Sequence, residues 1–122
     1  MLKFVPVDYK KLDAPFCEDE SLCGYIGYDL SDNGKECGKC AFRLNGYSME
    51  IVSVEVYDND PETVEGLIRS ALNFGGNRNV YMAEYKAVKG LNVAKTLGFE
   101  LSGEVYRGDI PSLLQGSCCK GK

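Results

Sequence analysis

Met49-Glu-Ile-Val-Ser-Val-Glu-Val-Tyr57 opens a run, ending at Leu97-Gly98-Phe99, that reads as strand, helix, strand, helix. Strict alternation over Glu50–Tyr57 predicts Val52, Val54 and Val56 on one face of a strand and Ile51, Ser53, Glu55 and Tyr57 on the other. The next segment repeats apolar residues at Val64, Leu67, Ile68, Ala71 and Leu72. This i, i+3, i+4, i+7, i+8 pattern is the stripe by which a helix docks on a core. Asp60 before Pro61 marks its start: the carboxylate can accept from an otherwise unpaired amide, and proline in the first helical position loses no hydrogen bond. Gly75-Gly76 supplies the stop. A second strand is expected from Val80 to Ala83 or slightly beyond, and a short helix from Leu91 to Leu97, closed by Gly98.

Outward from this centre, Leu2–Val7 alternates as an opening strand, with Pro6 suggesting an edge. Tyr9–Leu22 lacks a helical stripe, and Pro15 with the acidic Glu18-Asp-Glu20 reads as loop. Gly24–Leu30 and Lys39–Leu44 read as strands. The turn signals Asp32-Asn-Gly34 and Asn45-Gly46 link them to Tyr47–Tyr57 as an antiparallel meander. After Phe99, Glu100–Arg107 reads as strand with a turn at Ser102-Gly103. Gly108–Ile110 extends the pairing, and Pro111–Gln115 makes a final helical turn. The fold class expected is α/β (α+β): a mixed, mainly antiparallel sheet with helices packed on it. Residues 1–115 form one domain in this reading, and residues 116–122 a cysteine-containing C-terminal tail.

The 122 residues suffice for one core, and 44% hydrophobic with 26% charged residues is a globular composition. No apolar run approaches the roughly 18–20 residues of a membrane span. Met1–Val7 is too short, and too soon followed by Asp8 and Lys10, for a secretory signal. A net charge of −4 without a basic cluster argues against a nucleic-acid partner. Cys119-Lys-Gly-Lys122 does not fit the aliphatic prenylation pattern. The expected location is the cytoplasm, without a membrane partner.

Cytosolic thiols are kept reduced, which disfavours a disulfide framework for the six cysteines. Cys37-Gly-Lys-Cys40 has the spacing of a metal knuckle, with Cys17 and Cys23 as a looser second pair. With no histidine, thiolates are the only soft ligands, pointing to zinc or an iron–sulfur cluster. The same pairs, with Cys118 and Cys119, also fit thiol–disulfide exchange, although Cys37-Gly-Lys-Cys40 precedes a strand and lacks a helix dipole. A third alternative makes Cys23 and Cys40 small buried hydrophobes and the others free thiols. These readings compose one functional alternative: a non-catalytic metal-binding or thiol-redox protein.

The strand Glu50–Tyr57, the helix Pro61–Phe74, the strand from Val80 and the closing Leu97-Gly98-Phe99 together resemble the GNAT superfamily of acyl-CoA N-acyltransferases. The likeness spans roughly Leu2 to Ile110. It implies acetyl-CoA or another acyl-CoA as donor and an amine as acceptor. It places the pantetheine arm along the backbone of Val54, Val56 and Tyr57. The pyrophosphate would lie at the helix start, on the amides of Glu62, Thr63, Val64 and Glu65, where free N–H groups and the dipole suit an anion. Glu55 and Glu50 become the candidate bases, with Glu84 on the next strand a further one. Sheet-edge and strand-exchanged dimers are common in that family, so a homodimer is compatible.

Two positions depart from the pattern. The family's pyrophosphate loop carries Arg or Gln, two residues, Gly, one residue, then Gly or Ala. Here Tyr57-Asp-Asn-Asp-Pro-Glu-Thr-Val-Glu-Gly66 holds a single late glycine and the acids Asp58, Asp60, Glu62 and Glu65. Unit charges of like sign 4 Å apart repel by about 1 kcal/mol even in bulk water. The family's tyrosine acid, four residues before the Gly-Phe glycine, falls on Ala94. The chain is thus expected to be a divergent N-acyltransferase or a relative that has lost that chemistry.

Overall fold

The computed structural model describes residues 1–115. In chain order the elements are β1 (Leu2–Asp8), β2 (Cys23–Asp29), β3 (Lys35–Asn45), β4 (Ser48–Val56), α1 (Pro61–Gly76), β5 (Met82–Tyr85), α2 (Leu91–Leu97), β6 (Glu100–Ser102), β7 (Val105–Asp109) and α3 (Ile110–Gln115). The strands make one seven-stranded sheet in the order β1-β2-β3-β4-β5-β7-β6. Every neighbouring pair is antiparallel except β4–β5. The mixed α+β sheet and its meander are therefore as the sequence predicts.

The stripe on α1 explains how the layers join. Val64, Leu67, Ile68, Ala71 and Leu72 are all buried, against Cys40, Phe42, Met49, Ile51 and Val54 of the sheet. Burying each Leu or Ile side chain stabilises by roughly 1.5–3 kcal/mol. Ala94 and Leu97 of α2 and Ile110 and Leu113 of α3 enter the same core, so all three helices lie on one face. Phe42 stacks edge-on against Phe74 with ring centroids 5.2 Å apart, and Tyr85 meets Phe99 at 5.5 Å. The opposite face is covered over β1–β4 only, by the segment of residues 9–22. Its short 3-10 turns, Tyr9–Lys11 and Phe16–Glu18, bring Leu12, Leu22 and Phe16 onto Ala41 and Val52.

One expectation fails at the centre. Ala41 pairs with Ser53, but Phe42 pairs with Ile51, leaving Val52 as an extra residue in β4. This bulge reverses the alternation. Ile51 and Val54 both enter the helix-side core, while Val52 joins the opposite cluster. The predicted division of Val52, Val54 and Val56 from Ile51 is thereby overturned. A second shift, between Gly27 and Tyr28, makes Cys37 the extra residue of β3. The segment at Val80 is also corrected: β5 begins at Met82, and Val80 is a buried residue of the preceding turn, its N–H donating to the Gly75 carbonyl.

Candidate functional site

The parallel pairing of β4 with β5 is short, running from Ser48 opposite Met82 to Ile51 opposite Tyr85. Its last bond is from the Lys86 N–H to the Ile51 carbonyl, 2.8 Å. Beyond it β4 continues to Val56 with only β3 beside it. The Tyr57 N–H donates to the Cys37 carbonyl on β3 at 2.9 Å. Successive residues of a strand direct their N–H and C=O groups to opposite sides. The backbone groups of Val54 and Val56 consequently face the space that β5 has left, whereas the Tyr57 amide is already engaged.

That space opens into a cleft of about 560 Å³ lined by Val56, Asn59, Pro61, Val64, Val88, Lys89, Gly90, Leu91, Asn92 and Val93. Its walls are the end of β4, the start of α1 and the connection from β5 into α2. The Tyr85 hydroxyl fastens that connection by donating to the Lys89 carbonyl at 2.6 Å. Burial of Tyr85 pushes its phenol well above the usual tyrosine range. Gly90 takes φ +78°, and a Cβ there would lie 2.7 Å from Tyr85 Oη and 2.8 Å from Val64 Cγ1. Only glycine fits both the conformation and the space. Val88 is 91% exposed at the lip.

The start of α1 is closed on itself. Asp60 Oδ1 accepts from the Glu62 N–H at 2.9 Å, and the Asp60 carbonyl accepts from Thr63 and Val64 at 3.0 and 3.3 Å. Pro61 has no N–H to offer. Asp58 braces this cap, accepting from the Asp60 N–H at 3.0 Å and the Thr63 hydroxyl at 3.1 Å. Glu65 stands a full turn inside the helix. The amides that the resemblance assigns to a pyrophosphate are thus engaged at Glu62, Thr63 and Val64.

On the other face of β4, Ser53 and Glu55 line a hollow of about 170 Å³ with Leu12, Asp13, Ala14, Phe16, Lys39, Cys40 and Ala41. Glu55 carries an ion pair to Lys89 at 2.9 Å, which links this hollow to the cleft around the end of the β4–β5 gap. Lys39 is held by Asp13 at 3.1 Å. Glu50 is placed differently. Arg43, Glu50, Glu84 and Arg107 stand in register across β3, β4, β5 and β7. Glu50 is bound by Lys86 at 3.2 Å and Arg43 at 3.6 Å, and Glu84 by Arg107 at 2.9 Å and Lys86 at 3.6 Å. Both carboxylates sit where β4 and β5 are still paired, whereas Glu55 lies past the end of that pairing. The bulge at Val52 and the Lys86–Gly90 connection are the parts of the site that the sequence reading missed. A glycine directly before a helical segment was the available signal for the second.

The cysteines do not gather. Cys37 is buried on its bulge, and Cys40 lies under α1 with its thiol 3.7 Å from the Leu67 carbonyl. Burial pushes the Cys40 thiol up to about 12 and raises Cys37 and Cys23 as well, the opposite of a reactive thiolate. Cys17 sits in a 3-10 turn and Cys23 at the start of β2. Among the described residues no group of three or more His, Cys, Asp or Glu side chains could hold a metal ion. The zinc or iron–sulfur expectation therefore has no support from the geometry. Cys118 and Cys119 lie outside the described residues. Among those residues no helix is long and apolar enough to cross a membrane.

By sequence, no family model and no curated protein matches the chain. Solved structures do match. An N-acetyltransferase from Staphylococcus aureus superposes with a TM-score of 0.68 at 13% identity, covering 91% of this chain and 99% of the other. The ribosomal-protein-S18-alanine N-acetyltransferase of Escherichia coli gives 0.65 at 10% identity, covering 90% and 94%. The PaiA N-acetyltransferase of Thermoplasma acidophilum, solved in complex with coenzyme A, gives 0.55 at 9% identity, covering 71% and 58%. These superpositions show that the chain has a GNAT acyl-CoA N-acyltransferase-like fold.

Proposed function

We propose that the chain is an N-acyltransferase that takes an acyl group from a CoA-type thioester, such as acetyl-CoA, and passes it to an amine. The observation that carries this reading is the unpaired edge of β4. Past Ile51 the strand has no β5 partner, and its end at Val56 lines a cleft of about 560 Å³, which suits the two amides of a pantetheine arm lying as an added strand. Val64, Leu91 and Val93 supply the apolar wall. The N–H of Val54 or Val56, aimed into the gap, would support the oxygen of the thioester carbonyl as it gains charge.

The acceptor enters from the opposite hollow. Its ammonium loses a proton to the Glu55 carboxylate, and the nitrogen lone pair attacks the thioester carbonyl carbon. The carbon–sulfur bond breaks, an amide forms and the sulfur leaves as thiolate. No tyrosine stands at Ala94, and the Tyr85 proton is committed to the Lys89 carbonyl. A thiol of ordinary pKa near 8.5 is a good enough leaving group to depart as thiolate and take a proton from water in an open cleft. Lys89 lends its charge to Glu55 in the resting state and must release it when the acceptor's ammonium arrives.

The test is acyl transfer from acetyl-CoA or S-acetylpantetheine to a panel of amines, followed by thiol release. Turnover that falls at least about a hundredfold in Glu55→Gln, but not in Glu50→Gln, supports the reading. Equal loss in both, or turnover independent of amine, contradicts it.

A further inference from the structure

The start of α1 makes a prediction about the donor itself, and it rests on the acyltransferase reading. We infer that Asp60 is a specificity-determining residue that disfavours the diphosphate of a nucleotide-bearing donor, so that the cleft prefers an acyl thioester whose arm ends in an uncharged pantetheine.

Two independent observations meet here. The first is that the cleft is open and largely apolar along the β4 edge, with Val88 left 91% exposed at its lip. A neutral, extended, amide-bearing chain is what such a wall accommodates. The second is that the start of α1, beside Asn59 and Pro61 at one end of the cleft, already has its first amides engaged. The Glu62 N–H is held by Asp60 Oδ1 at 2.9 Å, and the Thr63 and Val64 N–H groups by the Asp60 carbonyl. A diphosphate would have to displace a carboxylate from the amides it needs, and then lie beside it. Asp58, holding the Asp60 N–H at 3.0 Å, keeps the cap in place and adds a second negative charge. Lys89, the one cation among the described residues lining the cleft, is paired with Glu55 at 2.9 Å. The like charges of Asp58 and Asp60 disfavour a diphosphate at this end of the cleft. A pantetheine thioester meets none of this, because its reacting end and both amides lie before the point where the phosphates begin.

The experiment is calorimetric titration of S-acetylpantetheine and acetyl-CoA into the wild-type chain, Asp60→Asn and Asp60→Gly, at about 20 mM and 300 mM salt. Asparagine caps a helix as well as aspartate, so Asp60→Asn changes charge with little change of fold. Glycine removes charge and cap together at a small cost and frees the Glu62 N–H. The expected result is wild-type affinity for S-acetylpantetheine at least about tenfold above that for acetyl-CoA at low salt, the scale of one to two close repulsions. The gap narrows at high salt, where the shorter screening length weakens the repulsion, and it narrows severalfold in Asp60→Asn and further in Asp60→Gly. Acetyl-CoA binding as tightly as S-acetylpantetheine to the wild type overturns the inference and leaves the acyltransferase reading standing. A preference unchanged by both substitutions also overturns it. Binding of neither donor at millimolar concentration removes the donor cleft itself, and both readings with it.

Discussion

Gly90→Ala tests the architecture of the cleft where it is tightest. The residue opens α2 at φ +78°, and a non-glycine residue held in that left-handed region costs about 1–3 kcal/mol. The added methyl would also stand 2.7 Å from Tyr85 Oη and 2.8 Å from Val64 Cγ1, both well inside van der Waals contact. Overpacking of this kind costs typically about 1–3 kcal/mol. Together the two effects predict a loss of about 2–6 kcal/mol, a large part of the 5–15 kcal/mol that stabilises an ordinary domain. Urea unfolding followed by tyrosine fluorescence measures it: with a slope of about 2 kcal/mol/M, the midpoint falls by about 1–3 M. The Tyr85→Phe background separates the contributions. Removing the hydroxyl relieves one of the two clashes, so Gly90→Ala costs about 1 kcal/mol less there than in the wild type. Strict additivity of the two changes, or a loss below about 0.5 kcal/mol for Gly90→Ala alone, would refute the packing described at this wall.

Further outcomes follow from individual residues. Glu55→Gln breaks an exposed ion pair with Lys89, so its unfolding midpoint stays within about 0.5 kcal/mol of wild type while acyl transfer collapses. Cys40 is neutral in the fold, with its pKa pushed up to about 12, against about 8.5 when unfolded. Its contribution to stability is complete below about pH 8.5 and is lost as pH rises toward 12, so stability measured from pH 8 to 10 declines, and less steeply in Cys40→Ala. The raised Tyr85 phenol acts in the same direction at higher pH. Replacing Cys37 and Cys40 together by alanine leaves donor titrations unchanged, because neither thiol lines the donor cleft; a lost donor site in a folded variant would join the thiols to the chemistry.

Much of the fold was legible because its local signals agree with one another. The α1 stripe at Val64, Leu67, Ile68, Ala71 and Leu72, the Asp60-Pro61 start and the Asn45-Gly46 turn each express a preference that the tertiary structure keeps. The bulges were not legible. Val52 is apolar and sits in a perfect alternation, and only the pairing of Ala41 with Ser53 and Phe42 with Ile51 reveals that it is an extra residue. Its partner strand decides its face, and that is a long-range fact. Val80, expected to open a strand, instead closes the turn with its N–H on the Gly75 carbonyl. At the site, the acids after Tyr57 were visible as a departure from the phosphate-loop pattern. The Asp60 cap was legible from the Asp-Pro start and is kept; its bracing by the Asp58 carboxylate was not, and goes with a backbone path through Asn59 at φ +54°. The cysteine spacing suggested a shared site, yet Cys37 and Cys40 are held by burial against the helix layer, which favours neutral thiols over metal-binding thiolates.

The central claim, that the free edge of β4 receives the acyl donor, is tested most directly by amide NMR of the ¹⁵N-labelled chain titrated with S-acetylpantetheine. The account predicts saturable shifts at Val54, Val56, Gly90 and Asn92, with the amides of β1 and β6 unmoved. Saturable shifts confined to other surfaces, or none at these four amides up to millimolar ligand, would contradict it.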